Sequence, residues 1–216
     1  MIIQRVLRGV AGINQTQAQQ MLNDGILCNL CRNMGPLGYS DIAQVLVDRN
    51  AEWHQDHYGD PDPLYTNPVN EIFSVHTPFI STTAGTVERR KGTNVTRTAF
   101  DVALRFATSG LTRDGYLFYC DLFVIGRPAV PVLAFSEELR ELNVNPRYSV
   151  YQVEGEILAK LIIPASQIER ADFFYVQDVK DALANGQLPS PDSSLSLSNN
   201  LYFPPSRYSN VRDVLS

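Results

Sequence analysis

Apolar residues recur along this chain with two periods, and the switch between them marks the elements. In TRTAFDVALRFAT (96–108), Ala99, Ala103, Phe106 and Ala107 fall on one stripe, which predicts a helix. NQTQAQQMLNDGILCNL (14–30) opens on capping residues and spaces Ala18, Met21 and Leu22 helically, with Gly25 breaking it. A further helix is predicted over Ser40–Glu52 from Ile42, Val45, Leu46 and Ala51. The other apolar runs read as strands: IIQRVLRGV (2–10), EIFSVHTPFISTT (71–83, interrupted by Pro78), GYLFYCDLFVIG (115–126, the strongest), YQVEGEILAKLIIP (151–164) and IERADFFYVQ (168–177). Between them, HQDHYGDPDPLYTNPVN (54–70) is dense in Asp, Pro, Asn and Gly and reads as a loop. The pattern is mixed α and β, with strands dominating the second half and no internal repeat.

NGQLPSPDSSLSLSNN (185–200) departs from this pattern. Its Ser, Pro and Asn content leaves too little apolar surface to pack by itself, so it reads as a linker. LYFPPSRYSNV then regains aromatic residues and is expected to dock back on the domain or on a partner. The organisation expected is a catalytic domain over 1–184 and a Ser/Pro-rich linker and C-terminal tail over 185–216.

Composition narrows the classes. With 216 residues and 44% hydrophobic content the chain can bury a true core. A net charge of −5 argues against a surface built around nucleic-acid phosphates. No apolar run approaches the roughly 20 residues a membrane span needs, and MIIQRVLRGV lacks the features of a cleavable signal. The expectation is a chain kept in a cytosol, exported without a cleavable signal, or supplied as a mature fragment. Cys28 and Cys31 form one C-x-x-C, which could be half a zinc site or a redox pair; without a second such pair, small buried thiols on a helix are the favoured reading and no metal is expected.

Within 151–164 two glutamates stand one residue apart. A strand alternates faces, so Glu154 and Glu156 share one, where their charges repel. Upstream, FISTT (79–83) ends a strand in three hydroxyls, and Arg8 ends the first strand in VLRGV. Each motif alone has a structural reading: charges that guard an edge strand, an ordinary salt-bridge arginine, good strand composition. Together, and in this order, they resemble the Arg/Ser-Thr-Ser/Glu-x-Glu pattern of mono-ADP-ribosyltransferases, the group that includes the catalytic chain of cholera toxin and heat-labile enterotoxin. The likeness continues through the Ala-rich helix, the Tyr/Phe strand, and a Pro-x-Ser-Gln-Ile turn (164–168) leading into an aromatic strand.

The resemblance implies an α+β split fold, with two roughly perpendicular antiparallel sheets around an NAD cleft and N-terminal helices outside. It implies NAD as a substrate. Glu156 matches the carboxylate that stabilises positive charge on the ribose as the nicotinamide bond breaks, a role that acts on the transition state more than on the ground state. Glu154 matches the residue that orients or deprotonates the acceptor, and a carboxylate there favours a protein arginine. Arg8 matches the arginine that grips NAD through its planar fork of donors; Arg5 competes for that role from the opposite face. Ser81 would bond Glu156, with Thr82 and Thr83 supporting the cleft wall, the final Thr being a departure from Ser-Thr-Ser. TVERRKGTNVTR (86–97) reads as a solvated loop, with Arg89, Arg90 and Lys91 as alternative phosphate contacts. His54, His57 and His76 read as structural histidines.

The function so implied is a toxin or secreted effector that transfers ADP-ribose from NAD to a macromolecular target, in a target-cell cytoplasm or alternatively a bacterial one. An NAD glycohydrolase, modification of nucleic acid, and an inactive binding module of the same fold are the alternatives. The expected partner is a target protein, with a delivery, activator or immunity protein as a further possibility.

Overall fold

The computed structural model describes residues 2–34, 77–84, 88–89, 96–124, 136–138 and 156–204. Local sequence sets the helices. In α1 (Gln15–Asp24) the Asn14 side chain accepts from the Gln17 amide and the Gln17 side chain accepts from the Asn14 amide, both at 2.9 Å. This reciprocal cap satisfies two donors that a helix start leaves open. Gly25, at φ 89°, ends the helix, its amide donating to Met21 O at 3.0 Å. Thr98 and Asp101 cap α3 (Ala99–Ala107) in the same way. A short α2 spans Asn29–Met34.

The strands are β1 (Ile2–Ala11), β2 (Ile26–Leu27), β3 (Phe79–Ala84), β4 (Glu88–Arg89), β5 (Thr96–Arg97), β6 (Gly115–Val124), β7 (Ser136–Glu138), β8 (Glu156–Lys160), β9 (Ile162–Ile163), β10 (Ile168–Phe174) and β11 (Asp192–Ser198). Seven of them form one sheet in the order β11-β10-β6-β1-β3-β8-β7, and β2-β9 and β4-β5 are two-stranded ribbons. All the pairings are antiparallel. The protein is thus a mixed α and β fold with a large antiparallel sheet and few helices among the described residues.

In place of two separate sheets, the described ladder is continuous, because β3 bonds β1 on one edge and β8 on the other. Among the described residues β1 pairs with β6 over ten positions and with β3 at Val6↔Ala84 and Leu7↔Thr83. One face of the sheet, carrying Val6, Tyr116, Phe118, Cys120, Ile157 and Ala171, buries α1 residues Ala18 and Leu22. The other face packs Leu117 and Phe174 against Ala103, Leu104 and Ala107 of α3. That helix lies on β1 because residue 9 is glycine: a Cβ there would sit 2.2 Å from Ala103 O.

Three expectations change. Residues 185–216 are not a detached linker and tail within the described range: β11 joins the sheet through Arg170↔Ser198, Ala171↔Leu197 and Phe173↔Asp192. Polar DSSLSLS can do this because the edge of β10 supplies the backbone partners, and the Ser196 hydroxyl accepts from the Phe173 amide at 3.1 Å where the register shifts. Beyond β11, Asn199 Nδ2 donates to Leu22 O, Ala165 O and Ile168 O at 3.2, 2.8 and 2.7 Å. The segment 151–164 is not one strand either. Leu161 adopts φ 64° between β8 and β9, a turn fixed by its amide bonding Pro78 O and its carbonyl accepting from the Cys28 amide, each at 2.8 Å. Finally, the strand expected over 168–177 ends at Phe174, and α4 (Val176–Ala184) follows, unforeseen although Val176, Val179 and Leu183 have helical spacing. The helix expected over 40–52, the loop 54–70, residues 71–76 and the histidines 54, 57 and 76 lie outside the described residues.

Candidate active site

Three adjacent strands carry the three motifs. Arg8 directly follows Leu7, whose pairing with Thr83 is the last between β1 and β3 in this direction among the described residues. Its guanidinium reaches across to β3, where Nη1 donates to Ser81 O at 2.8 Å. Arg8 and Ser81 are both half-buried, where a hydrogen bond from a charged donor is stronger than in bulk water.

β3 is in turn tied to β8. Thr82, 4% exposed, donates its hydroxyl to Ile157 O at 2.7 Å. Thr83, also 4% exposed, takes the register position opposite Glu156, and Ser81 lies opposite Leu158. Thr83 is therefore the direct cross-strand neighbour of Glu156, while Ser81 is its diagonal neighbour on the same ladder. Glu156 opens β8. Glu154, Arg90 and Lys91 lie outside the described residues, and of Arg89 the structure describes only its place in β4. Two strand spacings, about 10 Å, separate the backbone of β1 from that of β8.

Register also separates the two arginines. Arg5 pairs with Asp121 across β1 and β6, its Nη1 donating to Asp121 Oδ2 at 2.9 Å, and a second ion pair joins it to Glu169. The cluster continues through Arg170, which pairs with Glu169 at 3.3 Å and with Asp172 at 3.2 Å and lies 3.7 Å over the Tyr119 ring. Tyr202 donates its hydroxyl to Asp121, which closes the cluster from the C-terminal side. Burial, and then the bond to Asp121, raise the Tyr202 phenol above its ordinary pKa. An arginine whose donors are directed at two carboxylates is poorly placed to grip a diphosphate. Arg5 and Arg8 are three residues apart, so alternation sends them to opposite faces. None of this cluster was legible as a unit in the sequence, because its members come from β1, β6, β10 and the segment after β11.

An open cleft of about 640 Å³ lies elsewhere, beside the start of α1, lined by Gly12, Asn14, Arg113, Tyr116, Phe173 and Leu195. It contains none of the motif residues. Among the described residues no group of three or more His, Cys, Asp or Glu is placed to hold a metal ion, and no helix is long and apolar enough to cross a membrane.

No family model matches the chain, and no curated protein matches it. Among solved structures, seven chains match. One of them, named EcPltA, is similar over 93% of this chain and 88% of its own, at 17% identity and a TM-score of 0.46.

Proposed function

We propose that this chain is an NAD-dependent mono-ADP-ribosyltransferase, a toxin or secreted effector that uses NAD as a substrate and modifies an arginine side chain of a target protein. The observation that carries the reading is that Arg8, Ser81 and Glu156, far apart in sequence, stand on neighbouring strands, with Arg8 bonded to Ser81 O at 2.8 Å and Glu156 in register with Thr83. The motif order in the sequence supports it independently.

In this reading Arg8, held beside β3, grips the phosphate and ribose oxygens of NAD through its planar guanidinium. The Glu156 carboxylate faces the ribose carbon that loses nicotinamide. As that C–N bond breaks, its electron pair leaves with nicotinamide and positive charge grows on the ribose, where a fixed carboxylate lowers the barrier. Glu154 accepts a proton from the incoming guanidinium, whose nitrogen forms the new bond to the same carbon. The bonds of β3 to both flanking strands hold the arginine and the glutamate at a set separation, so little reorganisation is left for the reaction.

The test is incubation of the full chain with NAD labelled on its adenylate and a target-cell lysate, beside Glu156→Gln. Label on a protein band with wild type and not with the variant is the expected result. Label on nucleic acid would redirect the substrate, free ADP-ribose alone would mean hydrolysis, and no label or turnover would overturn the reading.

A further inference from the structure

Cys28 and Cys31 stand outside the candidate site, and the function above does not use them. Cys28 sits at the start of α2, its carbonyl accepting from the Arg32 amide at 3.2 Å, so residues 28–32 form a helical turn. Helix geometry separates residues i and i+3 by about 5 Å between Cα atoms, inside the range of roughly 4.4–6.8 Å that a disulfide spans. The Cys31 amide donates to Cys28 Sγ at 3.4 Å, which holds that sulfur over the turn on the side of Cys31. Both thiols are free, Cys28 buried and Cys31 half-buried.

We infer that Cys28 and Cys31 are a redox pair that closes to an intramolecular disulfide by exchange with a low-molecular-weight disulfide. The accessible Cys31 thiolate attacks one sulfur of the reagent, whose S–S bond breaks and releases one thiolate. Cys28 then gives up its proton to solvent, and its sulfur attacks Cys31 Sγ in the mixed disulfide. The Cys28–Cys31 bond forms and the second thiolate leaves. Two electrons pass from the protein to the reagent, which ends as two thiols.

The order follows from exposure, since attack needs a thiolate that the reagent can reach. Burial is also the main reason that the Cys28 thiol is pushed up to about 12.

The position gives the bridge a mechanical role. The Cys28 amide bonds Leu161 O, just past the end of β8, and the Leu30 amide bonds Thr77 O at 3.2 Å, two residues before β3. The turn that the disulfide closes is thus the joint that ties the far ends of β3 and β8 to the N-terminal helices.

The test uses the full chain equilibrated with oxidised and reduced glutathione at several ratios, quenched in acid, alkylated and mapped by peptide mass. The expected result is one peptide carrying Cys28 and Cys31 that has lost two hydrogens and takes up no alkylating agent, with Cys120 alkylated after unfolding. Cys28→Ser should instead accumulate a glutathione adduct on Cys31. Should that variant fail to fold, the wild-type map decides alone. Two alkylatable thiols at all ratios, a persistent glutathione adduct on wild-type Cys31, or a bridge to Cys120 would each overturn the inference. The readout involves no NAD and is independent of the transferase reading.

Discussion

Thr82→Val removes one hydroxyl from the joint between β3 and β8 and changes almost nothing else. Valine matches threonine in size and in its preference for strands, so the fall in stability measures the lost bond to Ile157 O. That bond is 2.7 Å long, and Thr82 is 4% exposed, so no water replaces the donor. Losing a buried hydrogen bond whose acceptor stays behind costs about 1–2 kcal/mol. For a chain of 216 residues each kcal/mol moves the melting temperature by about 2–4 °C. Thermal denaturation followed by circular dichroism should therefore show a drop of about 2–8 °C. Amide hydrogen exchange should quicken in β8, where the bond is anchored, while α1 and β10 keep their protection. An unchanged melting temperature with unchanged exchange in β8 would refute the idea that this hydroxyl ties the two strands. A uniform rise in exchange over the whole chain would refute the local role.

Three further outcomes are expected. Arg8→Lys should weaken NAD binding in titration calorimetry without lowering the melting temperature by more than a few degrees, since an ammonium cannot reproduce a planar fork; Arg5→Lys should do the reverse, because it breaks the cluster with Asp121 and Glu169. Removing residues 185–216 should lower the melting temperature or leave the chain insoluble, because it strips β11 from β10 and takes away Asn199 and Tyr202; a truncated chain that melts like the full one would refute this. Stability should fall as pH rises above about 10: burial raises the phenols of Tyr116, Tyr119 and Tyr202 above the ordinary tyrosine value, so the unfolded chain ionises first. Urea midpoints equal at pH 9 and pH 11 would argue against it.

Much of this protein follows from short-range chemistry, and there the sequence suffices. The reciprocal caps of Asn14 with Gln17 and of Thr98 with Asp101 lie within four residues, as does the break at Gly25, so α1 and α3 were readable to within a few positions. The apolar run 115–126 announced β6 because a strand buried on both faces needs no partner's identity to be recognised. The three site motifs were equally visible as residue types in order. What they do not contain is proximity. Only the pairing of β3 with β1 on one edge and β8 on the other brings residue 8, residue 81 and residue 156 onto neighbouring strands, and only register directs Arg5 to Asp121 and Arg8 to Ser81 O. The same holds for DSSLSLS. Its own composition cannot bury enough apolar surface to order it, but the unpaired backbone edge of β10 can, so its structure is a property of its neighbour. Leu161 makes the point at a single residue. Nothing in its side chain asks for φ 64°; its amide donates to Pro78 O at the end of the β3–β8 ladder and its carbonyl accepts from the Cys28 amide, and both bonds exist only once these distant segments have come together.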